Sequence, residues 1–124
     1  MLVQRDLKDQ VQTPEGRYHF EKSGSGFPVV MMHPLGNSTW VWESVTPSLS
    51  QHYTCYAFDA LGHGLSDKPP REFAVPDHAR AMDHAMQVLN IHRAHIIGNS
   101  FGAIQAVQLA AAHPSRVDKL VLIG

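Results

Sequence analysis

The sequence predicts an α/β fold, a mostly parallel sheet with helices on both faces. Three observations carry that expectation. Short apolar runs alternate along the chain with longer segments of helical spacing, the pattern of βαβ units. Most of the runs are apolar throughout, as in strands buried on both faces. The length of 124 residues, 44% hydrophobic, is enough for one domain and too little for two.

Taken in order, residues 1–16 are mixed and polar and end in the turn-like Thr13-Pro14-Glu15-Gly16. Arg17 to Lys22 alternates and reads as a strand, followed by a turn at Ser23-Gly24-Ser25-Gly26. Pro28 to His33 is a continuous apolar run and predicts a buried strand, broken by Pro34-Leu35-Gly36-Asn37. Thr39 to Gln51 places Trp42, Val45 and Leu49 at helical spacing, with Pro47 disturbing it. Tyr53 to Phe58 is a strand that ends at Asp59, and residues 60–75 read as a long loop. Pro76 to Asn90 is helical. Pro76 suits the first turn, where its missing N–H costs nothing, and Ala79, Met82, Met86 and Leu89 form an apolar stripe. Ala94 to Gly98 is a short strand. Phe101 to His113 is a helix with Ile104, Val107, Ala110 and Ala111 on one face, stopped by Pro114. Val117 to Ile123 is a last apolar strand.

Composition excludes several classes. Lys plus Arg total 10 against 11 for Asp plus Glu. That near balance argues against nucleic-acid binding and against a polybasic membrane-surface binder. The single Cys55 cannot form an internal disulfide. No run approaches the ~20 apolar residues of a membrane span. The N-terminus is too polar for a secretory signal, so a cytoplasmic protein is expected.

The chemistry concentrates at Gly98-Asn99-Ser100-Phe101-Gly102, which fits G-x-S-x-G between a strand and a helix. A nucleophile on such a bend needs small neighbours two positions away, because strand and helix come close there. Gly98 and Gly102 meet that demand, and Ala103 keeps the next position small. The bend lifts the Ser100 hydroxyl clear of the sheet and aims the helix N-terminus at it. A dinucleotide site would need G-x-G-x-x-G opening a helix. Gly62-His63-Gly64 starts that way but opens none, and a P-loop lacks its Gly-Lys-Ser/Thr.

With these residues in hand, the chain resembles the α/β-hydrolase superfamily from about residue 17 onward, in its esterase and carbon–carbon bond hydrolase-like branches. His33-Pro34-Leu35-Gly36 is similar to the family's H-G-x-G loop after its third strand. Asp59-Ala60-Leu61-Gly62-His63-Gly64-Leu65-Ser66 is similar to the D-x-x-G-x-G-x-S loop after the fourth, and Ser100 sits in the nucleophile elbow after the fifth. Pro34 departs from the pattern. It has no N–H and cannot be a donor. The resemblance implies that the N–H groups of Leu35 and Phe101 form the oxyanion hole, with Ser100 the catalytic nucleophile. It makes the Asp59–Ser66 loop mainly architectural. It also implies that residues 1–124 are the N-terminal part of one α/β-hydrolase domain, broken off after the family's sixth strand.

A serine nucleophile needs a base and an orienting acid, and in this fold they follow it in the order acid, then His. After Ser100 only Asp118 and His113 are available. His113 ends the helix that begins at the elbow, ~18 Å away at 1.5 Å per residue. Asp118 opens a strand at the opposite edge of the sheet. The expectation is a piece inactive alone, whose acid and His lie beyond Gly124. Its apolar last strand, left uncovered, is expected to self-associate. Nine histidines raise the question of a metal, but no H-x-x-x-H pair or Cys/His cluster appears. Mostly they read as surface or capping residues; His33 is the exception, because it lies beside the oxyanion loop and either orients it by hydrogen bonding or is simply buried in it.

The function expected is hydrolysis of ester-like or related carbonyl bonds of a small-molecule substrate through an acyl-enzyme, without metal or organic cofactor. Alternatives on the same fold are a carbon–carbon bond hydrolase acting on ring-fission dienoates, a cofactor-free peroxidase or lactonase, and a non-catalytic binding protein.

Overall fold

The computed structural model describes residues 9–69 and 73–124. Six strands form one sheet: β1 (Gln10–Thr13), β2 (Gly16–Gly24), β3 (Pro28–Met32), β4 (Thr54–Phe58), β5 (Ala94–Asn99) and β6 (Val117–Ile123). Their order is β1-β2-β4-β3-β5-β6. β3 lies parallel to β4 and β5, and β5 parallel to β6, while β1 and β2 are the antiparallel members. The expected mostly parallel sheet is therefore present. No helix among the described residues is long and apolar enough to cross a membrane.

The apolar runs are strands because both sides of the sheet are covered. Val30, Met32, Tyr56, Phe58 and Ile96 point to one side, where α2 (Val75–Val88) and α3 (Phe101–Ala112) supply Met82, Met86, Ala106 and Leu109. The intervening residues Val29, Met31, Cys55 and Ala57 point to the other, against Trp42, Val41 and Leu49. Each fully buried side chain of this size contributes about 1.5–3 kcal/mol. Alternation of side chains along a strand thus yields two cores from one apolar run.

Three local expectations need correction. The polar stretch before Gly16 contains a strand, β1, paired with β2 from Gln10↔His19 to Thr13↔Gly16. The predicted turn closes this hairpin, where the Thr13 hydroxyl donates to the Gly16 carbonyl at 2.7 Å. The single helix expected over Thr39–Gln51 is two short pieces, a 3₁₀ turn at Thr39–Trp42 and α1 (Thr46–Leu49). Pro47 lies at the start of the second piece, where a proline fits. In α3 the buried face is Gly102, Gln105, Ala106 and Leu109, whereas Ile104 and Val107 are exposed.

Register decides where loops meet. Met32 is level with Phe58 on one side and with Gly98 on the other. The C-terminal ends of β3, β4 and β5 therefore share one sheet edge, and the segments after Met32, Phe58 and Asn99 gather there. β6 is the outer strand, with Leu120, Val121, Leu122 and Ile123 exposed.

Candidate active site

β5 passes into α3 through a single residue, Ser100, at φ 57° and ψ −113°. That backbone is rare for a residue with a Cβ and costs on the order of 1–3 kcal/mol. It persists because its neighbours fix it. The Ser100 N–H donates to the Ile123 carbonyl at 2.8 Å, and its own carbonyl accepts from Ala103 and Ile104. A Cβ at Gly98 would lie 2.5 Å from the Gly102 carbonyl oxygen. One at Gly102 would collide with the Met32 carbonyl, so both positions must stay bare. Ser100 itself is exposed, and its hydroxyl has no hydrogen-bond partner among the described residues. It borders an open depression of about 360 Å³ with Ala103, Ile104, Leu122, Ile123 and Gly124. Leu35 and Phe101 do not line that depression.

The loop after β3 is held by a buried histidine. His33 Nε2 accepts from the Ala60 N–H at 2.9 Å, so its proton sits on Nδ1, which donates to the Pro34 carbonyl at 2.7 Å. The same carbonyl accepts from the Asn37 N–H at 3.1 Å. In a trans peptide, N–H and C=O point opposite ways. Fixing the Pro34 carbonyl therefore fixes the direction of the Leu35 N–H. Burial pushes the His33 pKa below the ordinary histidine value, against the opposing effect of the Pro34 bond. The ring is thus neutral at pH 7, as its acceptor role requires. The Leu35 side chain is exposed. Among the described residues neither the Leu35 N–H nor the Phe101 N–H meets an acceptor, the latter as expected of a first-turn amide.

Asp59 organises the third loop. Its carboxylate accepts from His19 Nδ1 at 2.8 Å, the Thr39 N–H at 2.8 Å and the Leu65 N–H at 3.0 Å. Burial alone would raise its pKa, but these donors, His19 foremost, outweigh it and hold the carboxyl below its ordinary value. The Ser66 hydroxyl donates to the Asp59 carbonyl at 2.6 Å and accepts from the His19 N–H at 2.8 Å. Gly64, at φ 51°, lies directly under the carboxylate, where any Cβ would collide with it. Asp59 and Ser66 are thus fully engaged in holding the loop.

Two further histidines depart from the surface or capping role expected of them. His19 is buried against Asp59. His78, at the start of α2, is 4% exposed and packs edge-on between Phe101, at 5.5 Å, and Phe73, at 5.0 Å. The apolar stripe of α2, on which His78 lies four residues before Met82, was the available signal for its burial, whereas His19, out of phase with Tyr18 and Phe20, had none. His113 and Asp118 stand apart from this edge: His113 faces Asp83 at 3.7 Å, and Asp118 pairs with Arg93 at 3.3 Å. No group of three or more His, Cys, Asp or Glu among the described residues could hold a metal.

An exposed serine on a strained strand-to-helix bend, with the first-turn amide of Phe101 next to it in the chain, can present a hydroxyl to a carbonyl and offer a donor to developing negative charge. Comparison with known proteins gives the fold family. The family described as alpha/beta hydrolase fold matches residues 28–124, and this chain belongs to it. An uncharacterised protein of Mycobacterium tuberculosis is 38% identical over 93% of this chain and 34% of its own length. The 2-hydroxymuconate semialdehyde hydrolase of a Pseudomonas species is 40% identical over 87% of this chain and 40% of its own. A solved N-acyl homoserine lactone degrading enzyme superposes with a TM-score of 0.86 at 30% identity, covering 91% of this chain and 44% of that one. The chain thus spans between a third and a half of the length of the relatives it matches.

Proposed function

We propose that this protein is a serine-nucleophile hydrolase of small ester-like or related carbonyl substrates. Ser100 Oγ attacks the carbonyl carbon, the bond to the leaving group breaks, and water then cleaves the acyl-enzyme. The N–H groups of Leu35 and Phe101 receive the oxyanion, each worth about 3 kcal/mol in the transition state. The 124 residues form the N-terminal part of one hydrolase domain and contribute the nucleophile and the oxyanion donors. The base and its orienting acid come from outside them, because His113 and Asp118 are engaged with Asp83 and Arg93 away from Ser100. The observation that carries the reading is the positive φ of an exposed Ser100 at the head of α3, a strained backbone of the kind that clusters at active sites.

A fluorophosphonate probe tests it on the protein expressed from its complete reading frame. Labelling that disappears in Ser100→Ala is expected, and absence of labelling in the unaltered protein would overturn the proposal. A second reading, cleavage of a carbon–carbon bond in a ring-fission dienoate, is favoured by the Gly98–Gly102 elbow and the 40% identical semialdehyde hydrolase. Loss of dienoate absorbance without p-nitrophenyl ester turnover would select it.

A further inference from the structure

We propose that His63 is a positioning residue that couples the two oxyanion donor segments; the inference rests on the reading of Ser100, Leu35 and Phe101 given above. The His63 ring stands between the segments. It lies 5.1 Å from the ring of His33, whose Nδ1–H fixes the Pro34 carbonyl and hence the Leu35 N–H. It also lies 6.3 Å from the ring of Phe101, with the planes 30° apart. Phe101 carries the second amide. A run of rings, His33, His63, Phe101 and His78, therefore joins the loop after β3, the loop after β4, the elbow and α2.

The seat of His63 is rigid. Its N–H donates to the Ala60 carbonyl at 2.9 Å and its carbonyl accepts from the Ser66 N–H at 3.1 Å. The turn is further pinned by the Leu65 N–H on the Asp59 carboxylate. The flanking rings are suited to packing rather than to proton transfer. Burial pushes His33 below the ordinary histidine value and His78 down to about 4, so both are neutral at pH 7. Rings at these separations attract one another in tilted and offset arrangements. His63 is only half-buried, so the core does not require it. A displaced donor, by contrast, is costly, since misplacement by 1 Å can lose about a hundredfold in rate.

The test is the kinetics of fluorophosphonate inactivation in the protein expressed from its complete reading frame, with thermal melts alongside. His63→Ala is expected to lower the maximal inactivation rate about tenfold and to leave the half-saturating probe concentration unchanged. His63→Phe keeps a ring face while giving up the Nδ1 contact with the Leu61 carbonyl at 3.4 Å, and is expected to restore the rate to within about twofold. Should His63→Ala fail to fold, His63→Leu fills the space without a ring face and is expected to be slow in the same way. Equal rates in unaltered protein and His63→Ala would overturn the positioning role. A rate as low in His63→Phe as in His63→Ala would overturn it too, by showing that the nitrogen matters. Absence of labelling in the unaltered protein would instead overturn the nucleophile reading beneath it.

Discussion

His78 should make the fold weaken in mild acid by an amount that can be worked out. Its ring is buried between Phe73 and Phe101, and its Nδ1 has no partner among the described residues. Burial, then the nearby His63, lowers its pKa to about 4, with Asp77 opposing. In the unfolded chain the ordinary value of 6.5 applies. A depressed pKa gives stability that is fully present above 6.5 and lost as the pH falls toward 4. Each tenfold in proton affinity is worth about 1.4 kcal/mol. The span from 6.5 to about 4 therefore amounts to about 3 kcal/mol, a large share of the 5–15 kcal/mol typical of a domain. Glu15 and Asp59, whose pKa values are also held low, lose stability in acid in the same direction. The informative quantity is thus a difference, the unfolding free energy of unaltered protein minus that of His78→Leu, from urea curves between pH 7.5 and pH 4. It should fall by about 3 kcal/mol on acidification. A difference that stays constant within about 0.5 kcal/mol would refute the reasoning.

Four other substitutions probe the site. Gly102→Ala drives a Cβ into the Met32 carbonyl and should cost about 3 kcal/mol or more by denaturant midpoint. Gly36→Ala meets no atom within 4 Å and should lose only the cost of a positive φ, about 1 kcal/mol. Ser100→Gly relieves the strained φ of 57° and should raise stability by about 1 kcal/mol while abolishing labelling; a lowered melting temperature would contradict the strain. Asp59→Ala leaves the Thr39 and Leu65 N–H groups without their acceptor and should destabilise by about 3 kcal/mol. Its calorimetric melt would show this directly.

The strands of the buried sheet were legible because an apolar run bounded by Gly or Pro has few other homes. The elbow was legible because Gly98 and Gly102 bracket Ser100 between a strand and a helix. β1 was not, because Gln10 and Gln12 carry no apolar alternation and the strand exists through its pairing with β2. The buried face of α3 was hidden by its composition. Phe101–Ala112 is apolar nearly all round, so periodicity could not tell Ala106 and Leu109 from Ile104 and Val107. His19 and His78 were misread for a different reason: their burial depends on Asp59 and Phe101, which are distant in sequence. The architectural reading of Asp59 agrees with its bonds, although its three donors come from three separate segments that only the folded chain unites.

The hydrogen bond from the Ser100 amide to the Ile123 carbonyl gives the outermost strand a say in the bend. An edge strand is where a sheet frays first. An opening of β6 at Ile123 would free the amide that pins the serine, so the hydroxyl's aim is tied to that strand. Whatever clamps the margin, whether more chain or a neighbouring surface, would steady the proposed nucleophile without touching it.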